Sequence, residues 1–322
     1  MTIAFYDAAQ VDHLLDYPGC IAAMRSAMQA LSESGRAQPL RQIVKIADET
    51  LLGVMPGDLA ATDTFGAKLV SVAQDPARPG RSRHRGVVVA FAAGTGEIIC
   101  IADAEAVTRI RTASATAAAT DALARNDARI LAIFGAGTQA ESHIRALRHV
   151  RAFDRTLLWS RSIDSSTALA AQLSAELGLA IEAVIDGERA AGLADVICTV
   201  SGSAEPILFR SWVRDGTHVN LVGSSALGPV EVDSALVAAA RYIADYRPGV
   251  LAQAAELAVA RDAGLVGDDH VVGEIGEVYA GTLAGRESPE QITIYKSLGH
   301  VVQDLAAAAY LHARATSEGS IA

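Results

Sequence analysis

The sequence predicts an α/β protein, a Rossmann doubly wound parallel sheet joined to a smaller α+β domain. Three observations carry this expectation. Gly135-Ala136-Gly137-Thr138-Gln139-Ala140 follows the apolar run Ile130–Phe134 and opens a helical stretch. Beyond it, short apolar strands alternate with helices, whereas residues 41–102 run strand after strand with short links.

Taken in order, Tyr17–Ser34 reads as a helix, because Ile21, Met24, Met28 and Leu31 recur at helical spacing and Gly35 stops the pattern. Strands are expected at Arg41–Ala47, Thr50–Met55, Gly66–Ala73, Gly86–Ala92 and Ile98–Ala102. Turn formers separate them at Pro56-Gly57, Pro79-Gly80 and Gly94-Thr95-Gly96, which suggests an antiparallel sheet. From Asp103 an alanine-rich stretch predicts a long helix running from one domain into the next. The alternating region follows, with strands at Ile130–Phe134, Thr156–Trp159, Ile181–Ile185, Val196–Val200, His218–Val222, Tyr242–Ala244 and Ile292–Tyr295. Helices are expected at Gln139–Val150, Ser166–Leu177 and Leu251–Asp262, and a last one from His300 to Thr316.

With 322 residues, 51% of them hydrophobic and 20% charged, the chain can bury one large core or two smaller ones. Aromatic residues make up only 5% while alanine is abundant, a bias toward layers of small side chains rather than a β-sandwich. A net charge of −10 supplies no basic track for a phosphate backbone, so no nucleic acid partner is expected. No run approaches the roughly 20 apolar residues that span a bilayer, and the first ten residues lack the basic start and apolar core of a leader. The expected setting is therefore cytoplasmic, with no membrane partner. Cys20, Cys100 and Cys198 form no CxxC pair and read as reduced packing residues. The histidines show no metal-ligand spacing, so no metal is expected.

In the glycine motif each position has a task. Gly135 permits a tight turn, Gly137 lets the backbone approach a pyrophosphate, and the small Ala140 lets the helix sit close to the sheet, leaving its first N–H groups for the anion. Ala136, Thr138 and Gln139 belong to the same cradle, and the strand ends Thr199-Val200-Ser201 and Val222-Gly223-Ser224 are expected to line it. An NAD site usually places a carboxylate at the end of the second strand, on the ribose 2′-hydroxyl. Here Ser160-Arg161-Ser162 stands instead, offering a planar donor and hydroxyls to a 2′-phosphate, so NADPH is expected over NADH. The alternative for Arg161 is a solvated loop residue.

Lys68 lies in a strand whose neighbours are almost all apolar, so its ammonium must escape to water or meet an anion. Arg111 lies on the long helix, near the cleft that a nucleotide domain is expected to share with a second domain. Two cations converging there would suit a carboxylate substrate. On spacing alone each could equally be a solvated surface group.

Further motifs add to this reading. Arg41, then Val54-Met55-Pro56-Gly57, Gly66-Ala67-Lys68, Thr95-Gly96, Arg109-Ile110-Arg111-Thr112-Ala113, the glycine turn, Gly276-Glu277-Val278, Lys296-Ser297-Leu298-Gly299 and Gln303-Asp304-Leu305 follow one another in that order. The chain thereby resembles the ornithine cyclodeaminase/mu-crystallin family over nearly its whole length. The resemblance implies a homodimer in which residues 1–112 with 300–322 form a substrate-binding and dimerisation domain, and 113–299 the dinucleotide domain. It implies that Arg41, Lys68 and Arg111 clamp the carboxylate of a small imino or amino acid beside the nicotinamide, with Lys68 and Arg111 the catalytic pair and Met55 at the substrate. It also implies Thr112, Lys296, Ser297 and Gly299 at the cofactor.

One departure bears on the reaction. The family's cyclodeaminases and some related alanine dehydrogenases carry Gly-x-Asp and then Pro-Gly-Lys after the fifth Rossmann strand, the Asp acting as base. Here Ser225 stands where that Asp would be and Pro229 where the Lys would be. A lone serine hydroxyl is no base near neutral pH, which disfavours deaminating cyclisation. Reducing a preformed cyclic imine asks less: the iminium is already an electrophile, and the protein need only hold it against the hydride donor. The expected activity is reduction of Δ1-pyrroline-2-carboxylate to L-proline, or of Δ1-piperideine-2-carboxylate to L-pipecolate. The competing readings are ornithine cyclodeaminase, an alanine or N-alkyl amino acid dehydrogenase, and an NADPH-binding protein with little turnover. His84, in a basic loop, and His300 are candidate proton donors. Asp304 either orients a site group or offsets a helix dipole, and Glu274 with Glu277 fits a helix surface.

Overall fold

A computed structural model of the chain describes residues 3–47, 50–59, 62–73, 84–225 and 227–319. Its first elements are β1 Ala4–Tyr6, α1 Ala8–Leu14, α2 Tyr17–Ser34, β2 Gln42–Ala47, β3 Thr50–Leu59, β4 Thr64–Ala73, β5 His84–Ala92, β6 Ile98–Asp103 and α3 Ala104–Leu123. Next come β7 Ile130–Phe134, α4 Thr138–Leu147, β8 Arg155–Trp159, α5 Ile163–Leu177, β9 Ile181–Val184, α6 Gly187–Leu193, β10 Val196–Thr199 and β11 His218–Leu221. The chain continues through α7 Ser234–Ala239, β12 Arg241–Ala244, α8 Arg247–Gln253, α9 Ala255–Asp262, β13 Val271–Glu274, α10 Ile275–Tyr279, β14 Thr293–Lys296 and α11 Val301–Ser317. Two compact units result, one of Met1–Ala115 with His300–Ala322, the other of Thr116–Gly299.

In the first unit a six-stranded sheet has the order β1-β6-β5-β4-β3-β2, antiparallel except where the edge strand β1 pairs with β6 in parallel. Helix α2 starts where Asp16 accepts the N–H of Gly19 at 2.8 Å and ends at Gly35, whose φ of +60° suits a residue without Cβ. It buries Ile21, Met24, Met28 and Leu31, a contribution of about 1.5–3 kcal/mol each. Pro56 and Gly57, expected to turn, instead lie inside β3 opposite Ala67 and Gly66 of β4. Strand β2 pairs only as far as Val54, so at Pro56 that side of the ladder is open and the missing N–H leaves no partner unsatisfied. Gly57 has its own reason, since a Cβ there would come within 2.4 Å of Val301 on α11. Pro79-Gly80 lies outside the described residues.

The second unit holds an eight-stranded, wholly parallel sheet of order β13-β12-β14-β11-β10-β7-β8-β9. Chain order reverses between β7 and β10, the switch point at which doubly wound sheets bind ligands beyond their carboxyl ends. The predicted helix over Leu251–Asp262 is two helices, α8 and α9, parted by the extended backbone of Ala254. Alanine carries no stop signal, so periodicity could not show that break. Strand β1 and helices α1, α6 and α7 run three to seven residues, too short for a period to register. Among the described residues no helix is long and apolar enough to cross a membrane.

Candidate active site

The residues singled out from sequence fall into two groups, one in each unit. In the second unit, β7 ends at Phe134 and the chain turns through Gly135, whose φ is +139°. A Cβ at Gly135 would meet the carbonyl oxygen of Val200 at 2.8 Å, so only glycine closes this turn. Helix α4 begins at Gly137 without a side-chain cap, which leaves its first N–H groups unclaimed by any side chain, and Ala140 is fully buried beneath them. Space above Gly137 is open to 4 Å, and the buried Oε1 of Gln139 has no hydrogen-bond partner. An anion-bearing dinucleotide fits these features.

A cleft of about 390 Å³ adjoins the turn, lined among others by Gly135, Ala136, Gly137, Ser160, Arg161 and Val200. Arg161 is exposed and forms no ion pair among the described residues. Ser160 donates to the carbonyl of Ser162 at 2.8 Å and shares a 2.7 Å hydrogen bond with Ser166, while Ser162 caps α5 through Ser165 N–H. These bonds fix the backbone on either side of Arg161.

Sequence reasoning missed the residue that shapes the far wall. Glu231 is fully buried and accepts four hydrogen bonds: Thr199 Oγ1 at 2.7 Å, Ser201 N–H at 2.7 Å, Ser201 Oγ at 2.8 Å and Gly223 N–H at 2.8 Å. It ties together the turns that follow β10 and β11. Gly223 must be glycine, because a Cβ would meet Ser201 O at 2.1 Å and Glu231 Oε1 at 2.4 Å. Burial pushes the Glu231 carboxyl up, against the pull of its hydrogen bonds. A lone Glu between Val230 and Val232 gives no sequence signal of such a role.

Lys296 is also fully buried, ion-paired with Glu256 at 2.9 Å and donating to the Ser224 carbonyl at 2.6 Å, while Ser224 Oγ donates to Pro229 O at 2.6 Å. Lys296 thus anchors the loop after β11 through its backbone. Val222 is buried at the head of this loop and Ser225 is exposed on it. Gly299, at φ +81°, donates to Asp245 at 2.7 Å, and the buried Ser297 Oγ has no partner.

In the first unit, β4 presents Lys68, α3 presents Thr108 and Arg111, and α11 presents Gln303 and Asp304. Lys68 Nζ donates to Thr108 Oγ1 at 2.5 Å and to Asp304 Oδ1 at 3.3 Å. Arg111 Nε reaches the same Oδ1 at 2.9 Å, and its Nη1 donates to Gln303 at 2.8 Å. Lys68, Arg111 and Asp304 are all buried. An ammonium has three donors and a guanidinium five, so both cations keep N–H groups in hand. Burial lowers Lys68 from 10.5 to about 8; Asp304 opposes the drop, and the charges of Arg111 and Arg41 add to it. Asp304 lies below the usual carboxylate range: burial alone would raise it, but Arg111 and Lys68 outweigh that. The dipole-offsetting role considered for Asp304 is therefore secondary to a direct bridge between two cations.

Arg41 precedes β2 and acts on Lys68 electrostatically, and Met55 on β3 lies opposite Lys68 in the ladder. Thr112 is buried with Oγ1 unpartnered. His300 caps α11 by accepting Val302 N–H at 3.3 Å, and burial brings it down to about 4, so near neutrality it is an uncharged, poor acid. The side chain of His84 lies outside the described residues. Glu274 and Glu277 form a capping box at the start of α10.

A parallel sheet with an anion-ready turn at its switch point defines a Rossmann dinucleotide-binding domain. The chain belongs to the ornithine cyclodeaminase/mu-crystallin family, whose sequence model matches residues 2–319. It is 31% identical over 312 residues to the ketimine reductase mu-crystallin of Mus musculus, covering 95% of each chain. Its fold matches the Δ1-pyrroline-2-carboxylate reductase of Thermococcus litoralis, solved with NADH and L-proline, at a TM-score of 0.92 and 26% identity over 98% of both chains. An archaeal alanine dehydrogenase dimer with bound NAD matches at 0.91 and 26% identity, over 99% of this chain and 98% of that one.

Proposed function

We propose that this protein reduces a cyclic α-imino acid, Δ1-pyrroline-2-carboxylate or its six-membered homologue, with NADPH. The observation that carries the reading is the buried Lys68–Arg111–Asp304 cluster. Two cations against one carboxylate leave one net positive charge. Replacing such buried charges with apolar side chains is often neutral or stabilising, so stability alone gives no reason to keep them. A site for a carboxylate does.

In this reading unit 1 binds substrate and unit 2 binds cofactor. Lys68, Arg111 and Arg41 hold the substrate carboxylate, fixing the iminium carbon for attack. A nicotinamide held by unit 2 would supply the hydride for that carbon; with the C=N π pair left on nitrogen, the product amine would take its proton from solvent. No base is required, in keeping with Ser225 in place of an acidic residue. Arg161, with the Ser162 hydroxyl, receives the 2′-phosphate of NADPH, and Gln139 and Ser297 offer their unpartnered polar atoms to the cofactor.

Two copies are proposed to form the working homodimer, in the cytoplasm. Every residue of β2 is exposed on the sheet's edge, Ile43, Val44 and Ile46 included, and an apolar edge left in water invites pairing. The decisive assay is NADPH oxidation with each imine beside ammonia release from L-ornithine. Oxidation with either imine supports the proposal; ornithine-dependent ammonia without net redox change refutes it.

A further inference from the structure

We propose that Asp304 is a positioning residue: by bridging Lys68 and Arg111 through a single oxygen it keeps the Lys68 ammonium charged and aimed, and so sets the upper pH limit for binding a substrate carboxylate. This deepens the reading above and rests on it.

The geometry is one-sided in an informative way. Both cations converge on Oδ1, while the buried Oδ2 has no hydrogen-bond partner. Among the described residues, the other charges that act on Lys68 have the wrong sign to hold its proton. Arg111 faces it from α3 and Arg41 from the segment before β2, and Thr108 contributes only a neutral hydroxyl. His300 from α11, brought down to about 4, and Cys20 from α2, pushed up to about 12, both feel this cluster but titrate far from neutrality. Guanidinium groups do not deprotonate in the working range. Asp304 is therefore the one charge among these groups that favours the ammonium, against burial and two guanidinium groups. With Lys68 near 8, a modest loss of that support moves its deprotonation into the neutral range.

The sign follows directly. The ammonium binds the carboxylate, so affinity is full below the Lys68 transition and falls as pH rises through it. Removing the Asp304 charge moves that fall to lower pH.

The test measures the dissociation constant of pyrrole-2-carboxylate, a flat acid whose ring nitrogen does not titrate in this range, with saturating NADP+ from about pH 6 to pH 10. Wild type is expected to lose affinity above about pH 8, and Asp304→Asn about one pH unit lower, roughly fivefold weaker at the wild-type midpoint and approaching tenfold above it. Lys68→Arg, which cannot deprotonate, is expected to show no alkaline fall. Asp304→Glu keeps the charge and is expected to keep the wild-type midpoint, so it decides the matter should the Asn variant not fold. A midpoint unmoved in Asp304→Asn, or displaced by a full unit in Asp304→Glu, overturns this inference while leaving the carboxylate site standing. Failure of wild type to bind the acid at any pH removes the site and this inference together.

Discussion

Lys68 shows how far a single residue can be read. A cation within an apolar strand must find an anion, and the sequence announced that requirement without naming what meets it. The answer, Asp304, lies 236 positions away. If the exchangeable partner is a substrate carboxylate, Lys68→Met should raise the imine KM about 100-fold or more, while NADPH affinity measured by fluorescence titration stays unchanged. Equal losses on both would show that Lys68 supports the fold rather than the substrate. Arg161 is the converse case, an exposed loop cation that forms no ion pair among the described residues. Arg161→Asp is expected to lower the NADPH-over-NADH ratio of kcat/KM at least about tenfold, and an unchanged ratio would return Arg161 to the solvated surface.

Elements were legible where a pattern repeats and obscure where a contact decides. Tyr17–Ser34 and Ile130–Phe134 match the sequence expectation residue for residue, because capping and burial periodicity are local properties. Pro56-Gly57 misled, since whether proline interrupts a strand depends on which edge is open, and that is known only once β2 is seen to stop at Val54. Glu231 acts at this scale by joining the turns after β10 and β11. Glu231→Ala strands four donors and should cost about 2–4 kcal/mol. Thermal melting without ligand and NADPH titration read the two consequences, a lower midpoint and a weaker cofactor complex. A variant that melts and binds as wild type would deny Glu231 its role.

For the whole molecule, the alternation of strands and helices sufficed to expect a doubly wound sheet, since parallel strands need crossover helices and the glycine turn marks the first of them. Assembly is a separate matter. If the exposed apolar edge at β2 is covered by a second copy, Ile43→Asp with Ile46→Asp should halve the particle mass seen by light scattering, without unfolding either unit. An unchanged mass would move the interface elsewhere.

By itself the sequence determined the fold class, the glycine turn after β7 and the cations that require an anion, because periodicity, glycine conformations and the cost of a buried charge are properties of short stretches of chain. Only the tertiary structure decided that Asp304 shares one oxygen between Lys68 and Arg111, that Glu231 binds two turns together, and that Lys296 is spent on Glu256 and Ser224. Those partners lie on different elements, and only folding sets the distance between them.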